Sequence, residues 1–203
     1  DVAKRAEVEA LRGAAVEAIG GYDLVINNAG VAVAGPIGQV PQADWEWIVG
    51  VNLWGPIHGC EVFVPGLRAQ GRGHVLNVAS MAGLMNLQEM GPYNVTKAGV
   101  IALSETLYGE LHGTGVTVSA LCPSFFPTNI MKSGKAHDPR AASVAAKLME
   151  KSPYTADDIA RIALDASERG ALYILPHGEG RAMWRAKRVL PEAFQGALTR
   201  GAK

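Results

Sequence analysis

The chain has no long apolar run, no excess of one charge and little cysteine. Its apolar stretches are broken by Gly, Pro or charged residues, so no membrane span and no secretion signal is expected. Nineteen basic residues balance nineteen acidic ones. Nothing in that balance favours a polyanion such as DNA as a partner, and no nucleic acid is predicted. Cys60 and Cys122 lie far apart and match no metal-ligand spacing. They read as reduced thiols of a cytoplasmic protein. The five histidines show no ligand spacing either, so no metal is predicted. The first residue is Asp1 rather than Met, and the chain is expected to be processed, truncated or incomplete.

What is present suits one globular domain over residues 1–203. Its length is ample for a core, and an apolar content of 48% against 19% charged residues is ordinary for such a domain. Val8, Leu11, Ala15 and Ile19 predict a helix over 4–20, closed by Gly20-Gly21. Residues 23–27 read as a buried strand and 30–41 as a loop. One long helix is expected over 42–68, a strand over 74–79, a loop over 81–91 and a helix over 92–112. A strand over 116–121 follows. Residues 124–153 read as irregular, with a small helix near 141–150. Then come a helix over 155–168, a strand over 171–175 and a helical tail over 177–203. Strands alternating with helices predict an α/β fold with a doubly wound parallel sheet.

Four signals fall at strand ends or on helices, where such a sheet places its ligand site. Asn28, Ala29 and Gly30 follow the first strand; alone they read as an ordinary turn. Ser80 closes the second strand, where a lone Ser is more often a cap. Tyr93 and Lys97 stand at i and i+4 on one helix face. A neighbouring ammonium favours phenolate and is expected to lower the Tyr93 pKa, which suits proton transfer near neutral pH. Asn52 lies four residues before Pro56, which has no N–H and clashes with the carbonyl four residues back. A kink is expected there, with a free carbonyl able to hold a water.

Together, in this order, with Tyr93 thirteen residues after Ser80, these motifs resemble the short-chain dehydrogenase/reductase family. Asn27-Asn28-Ala29-Gly30, Val51-Asn52-Leu53-Trp54-Gly55, Ser80, Tyr93-x-x-x-Lys97 and Pro123-Ser124-Phe125-Phe126-Pro127-Thr128 carry the resemblance. Ser124 stands where the family usually has Gly. The resemblance implies a Rossmann-like fold and an NAD(P)-dependent oxidoreductase that interconverts an alcohol and a ketone or aldehyde. It implies that Tyr93 moves the proton at the substrate oxygen and Ser80 holds that oxygen. Lys97 is implied to lower the Tyr pKa and bind the nicotinamide ribose, and Asn52 to support a proton-relaying water. Asp1, Val2, Asn28, Ala29 and Gly30 are implied on the adenine side. Pro123, Phe126 and Thr128 are implied around the nicotinamide and pyrophosphate.

The family's Gly-x-x-x-Gly-x-Gly turn, which brings a pyrophosphate to a helix N-terminus, is not in this sequence. Two βα units, roughly 60 residues at about 30 each, are expected to be missing, so the fold is expected to lack strands one to three. The strand at 23–27 then becomes an exposed apolar edge, and these 203 residues by themselves are expected to bind a dinucleotide poorly. The choice between NAD and NADP is not readable. Met81, Leu84, Met85, Leu87, Met90, Phe125, Phe126 and Met131 make the presumed site apolar. Either this is loop packing or it is a pocket for a lipophilic alcohol or ketone, with Met81, Met85, Met90 and Phe125 against substrate. Residues 124–153 correspond to the family's substrate loop. The helices at 42–68 and 92–112 correspond to its dimer faces, so a homodimer or homotetramer is expected. The basic tail helix around 179–190 is expected to pack on its own domain or on a sister subunit rather than on a membrane. The competing class is a cofactor-deficient relative that acts as an interaction module.

Overall fold

Six residues in a row, Gly73 to Val78, explain the centre of this molecule. Four of them, His74 to Asn77, are buried, so the strand is covered on both faces, as an inner strand of a parallel sheet must be. The computed structural model describes residues 1–137 and 139–201, without the side chains of 139–142 and 201.

In chain order the elements are α1 (Arg5–Ile19), β1 (Leu24–Asn27), β2 (Val33–Ala34), α2 (Gln42–Val49), a π-turn (Gly50–Trp54), α3 (Gly55–Gln70), β3 (Gly73–Val78), α4 (Ala82–Met85), α5 (Gly91–Glu110) and β4 (Val116–Leu121). Then follow α6 (Ile130–Ser133), β5 (Lys135–Ala136), α7 (Pro139–Glu150), α8 (Ala156–Glu168), β6 (Tyr173–Ile174), α9 (Gly178–Val189) and α10 (Pro191–Gly201). The main sheet is parallel, in the order β1-β3-β4-β6. This is the expected Rossmann-like α/β architecture.

Side chains alternate across the sheet. Val75 and Val118 join Val64, Leu67 and Leu107 of α3 and α5 on one face. Leu76 and Leu121 join Ile159 and Ala163 of α8 on the other. The helix ends follow local chemistry. Gly20 closes α1 in the left-handed conformation, its N–H on the Val16 carbonyl. Thr155 and Asp158 cap α8 reciprocally. Among the described residues β1 is an edge strand, with Leu24 41% and Ile26 47% exposed. No described helix is long and apolar enough to cross a membrane.

Several boundaries differ from the sequence reading. The helix expected over 42–68 is two helices joined by the π-turn, in which the Gly55 N–H reaches the Gly50 carbonyl. Pro56 cannot donate to the helical ladder, and one widened turn absorbs the defect. The loop expected over 30–41 contains β2, which pairs with β5 across a long stretch of chain. The loop over 81–91 contains α4, ended by Asn86 at φ 58°. Residues 124–153 are more ordered than expected, holding α6, β5 and α7. The last strand is only Tyr173–Ile174.

Candidate active site

The C-terminal ends of β1, β3 and β4 open into a cavity of about 630 Å³. Ser80 follows β3, and its Oγ accepts from the Ala82 N–H at 3.1 Å. Tyr93 and Lys97 lie on the first turns of α5 and face the same cavity. The Lys97 Nζ is 5.7 Å from the centre of the Tyr93 ring.

Lys97 is 3% exposed, and its ammonium donates to the Val78 carbonyl at 2.7 Å. Burial drags its pKa down to about 8. Tyr93 moves opposite to the sequence expectation. Burial pushes its phenol up, and the nearby Ser80 side chain works the other way. The sequence placed the ammonium close to the tyrosine but did not show that both groups lose water together.

Asn52 sits in the π-turn and is fully buried. Its side chain pairs with the backbone of Val31 on both sides: Oδ1 accepts the Val31 N–H and Nδ2 donates to the Val31 carbonyl, each at 2.8 Å. Nδ2 also approaches Thr96 Oγ1 at 3.4 Å. It is this amide that the structure puts to use, where the sequence reading had weighed the backbone carbonyl. Gly30 keeps open the space between these groups. A Cβ placed on it would stand 3.5 Å from both Asn52 Oδ1 and Lys97 Nζ.

Asn28 and Gly30 line the cavity on the β1 side, and Pro123, Phe126 and Thr128 line it beyond β4. The Pro123 carbonyl accepts the Met81 N–H at 2.9 Å, tying the two strand ends together. Met81, Met85, Met90 and Phe125 also line it. Ala29 is exposed and stands outside the lining, as do Asp1 and Val2. The Val2 carbonyl instead lies 3.0 Å from His58 Nδ1, against the start of α3. Among the described residues no three His, Cys, Asp or Glu side chains gather as metal ligands.

The sequence reading missed part of the wall. Leu148 and Met149 of α7, and Glu179, Gly180 and Met183 of α9, also face the cavity. Ala145, Leu148 and Met149, at helical spacing, were a signal for the apolar face of α7 that lines the cavity. Nothing in the sequence aimed α9 at the site. It packs there over α4, with Lys187 Nζ donating to the Leu84 carbonyl at 2.6 Å.

The family model for short chain dehydrogenase matches residues 1–139. A CLA biosynthesis dehydrogenase/reductase of Lactiplantibacillus plantarum is 30% identical over 213 residues, covering 95% of this chain and 74% of that protein. A C alpha-dehydrogenase of a Sphingobium species is 34% identical over 179 residues, covering 82% of this chain. The chain spans only 59% of the length of that relative. The crystal structure of a short chain dehydrogenase/reductase from Burkholderia phymatum in complex with NAD superposes with a TM-score of 0.88 at 35% identity, covering 95% of this chain and 74% of that one. Matched by the family model over more than half of its length and sharing the fold of these proteins, the chain belongs to the short-chain dehydrogenase family of oxidoreductases.

Proposed function

We propose that this chain carries the catalytic part of an NAD(P)-dependent dehydrogenase/reductase that interconverts a lipophilic alcohol and its ketone or aldehyde. The observation that carries this is the convergence of Ser80, Tyr93 and Lys97 on one apolar cavity at the strand ends. A buried ammonium is a costly thing to keep for structure alone, and perturbed groups of this kind cluster at functional sites. That weighs against the interaction-module reading.

The residues present fit the nicotinamide half of a dinucleotide. Lys97 has three donors, and among the described residues one is used, at Val78. The other two remain for ribose hydroxyls. Gly30 leaves room beside them. Pro123, Phe126 and Thr128 supply the opposite wall. When bound, the cofactor supplies or accepts the hydride. The choice between NAD and NADP stays open.

The roles of the protein groups follow from their positions. The Ser80 hydroxyl, which faces the same cavity as Tyr93, holds the substrate oxygen. Tyr93 gives that oxygen a proton in reduction and takes it in oxidation. With the phenol pushed up by burial, Tyr93 is protonated at neutral pH. That form suits reduction, and oxidation gains as pH rises. Asn52 fixes the Val31 turn beside Lys97, and a water held there would pass protons on. Self-association through α3 and α5 belongs to the same proposal. Trp54 (50%), at the end of the π-turn before α3, and Val95 (53%) of α5 are exposed.

The test is Tyr93→Phe in the full-length protein. Turnover should vanish while cofactor affinity, read by NADH or NADPH fluorescence, stays within about twofold. A variant that keeps most of its activity removes the proton-transfer role.

A further inference from the structure

The chain has six methionines. All six, Met81, Met85, Met90, Met131, Met149 and Met183, line the same cavity. They come from separate places: α4 and the residue before it, the turn before α5, then α6, α7 and α9. Met81 and Met85 are buried and also join a core cluster. The other four are only partly covered, and Met183 is 37% exposed. Core packing accounts for the first pair. It does not account for thioethers that face open space from four further segments while two other interior clusters hold no methionine.

A methionine side chain has three rotatable bonds and a polarizable sulfur. It reshapes around ligands of different outline and makes favourable contacts with aromatic rings. Charge narrows the class further. Among the described lining residues the only cation is Lys97, which is engaged at Val78, and the only carboxylate is Glu179. Nothing in that wall offers an anionic substrate a second positive group, and Glu179 repels one.

We infer that the cavity takes neutral, ring-bearing aryl ketones or carbinols of several shapes rather than one compact hydroxy acid. The carbonyl part of this inference rests on the reductase reading above; the aryl part rests on the methionines.

The full-length protein labelled with ¹³C at the methionine methyl groups gives one NMR signal per methionine. Each is assigned by a single Met→Leu change, a swap that roughly conserves volume. The probes are 2-acetonaphthone, its fully saturated decalin counterpart, and a carboxylated acetonaphthone. The naphthyl ketone should shift at least four of the six signals along one saturation curve. Its affinity should exceed that of the decalin compound by about three- to tenfold, the scale of one or two sulfur–aromatic contacts, and the carboxylated probe should bind more weakly still. The triple variant Met90→Leu, Met131→Leu, Met149→Leu should lose the aryl preference. Shifts at one methyl or none, or equal affinity for the decalin compound, overturn the inference. If the naphthyl ketone binds in this manner but no ketone is reduced with either nicotinamide, the aryl pocket stands and the reductase reading falls. Ketone reduction without methyl shifts gives the reverse.

Discussion

The Lys97 ammonium is held 2.7 Å from the carbonyl of Val78, two residues before Ser80 on the same strand end. One hydrogen bond thus fixes α5 against β3 where Ser80 and Tyr93 face the cavity. The same bond holds a charge out of water.

That burial sets a pH signature. With a pKa near 8 in the fold against an ordinary 10.5, Lys97 releases its proton in the folded chain before it does so in the unfolded one. Between those values the unfolded state binds more protons, so stability rises with pH across that window. Replacing the lysine by methionine (Lys97→Met) should remove this rise. The wild type should gain at most about 3 kcal/mol on the variant between pH 8 and 10.5. Urea unfolding of both proteins across that range checks the sign.

Asn52→Leu keeps the branched outline and removes both bonds to Val31. Two backbone groups then lose their partner in a largely dry place, at a cost of about 2–4 kcal/mol. Hydrogen exchange should speed up at the Val31 amide well before the β3 amides respond. Uniform loss of protection would point to a general packing defect.

Asp44 reaches out from α2 to the segment that borders the cavity. Its carboxylate meets Lys135 Nζ at 2.6 Å and His137 Nε2 at 2.8 Å, beside the β2–β5 pairing. The Lys135 bond first, and the His137 bond after it, hold the Asp44 pKa below its usual value against the opposing effect of burial. The latch is therefore complete above the ordinary carboxylate range and is lost as pH falls through the lowered pKa. Asp44→Asn should speed proteolytic cleavage within 130–150 at neutral pH. In acid the wild type should approach the variant.

Gly180 sits against Met81. A Cβ there would come within 3.2 Å of the Met81 sulfur and terminal methyl, so the flexible end of Met81 must move. Gly180→Val should raise KM for the bulkiest substrates by roughly tenfold, the scale of one misplaced methylene or two. Small ketones should be affected little. Equal losses for all sizes would mean that α9 itself has shifted.

The chemistry was easier to read in the sequence than the walls around it. Helical spacing sets Tyr93 and Lys97 on one face and Ser80 closes a strand, but each is ordinary alone. Their order along the chain, which resembles the family pattern, singles them out. The β2–β5 pairing joins Val33 to Lys135, and no local pattern announces two residues meeting across that distance. The same holds for α9 against α4. The direction of the Tyr93 shift was missed because spacing shows who the neighbours are but not how much water they have lost. Pro56 announced a defect, and the form it takes, a widened turn with Asn52 inside it, depends on the Val31 backbone waiting opposite.

The π-turn also sets an angular phase. Each helical residue advances the chain by about 100° around its axis, and the extra residue rotates α3 by that amount relative to α2. Trp45 and Ile48 can then face Val33 and Val40, while Phe63 and Leu67 face Val75. Deleting a single residue between Gly50 and Trp54 would close the widened turn and set Pro56 back against the helical ladder. It would swing one of these two apolar stripes into solvent and carry Asn52 away from Val31. In this part of the chain, spacing in the sequence is therefore worth more than side-chain identity.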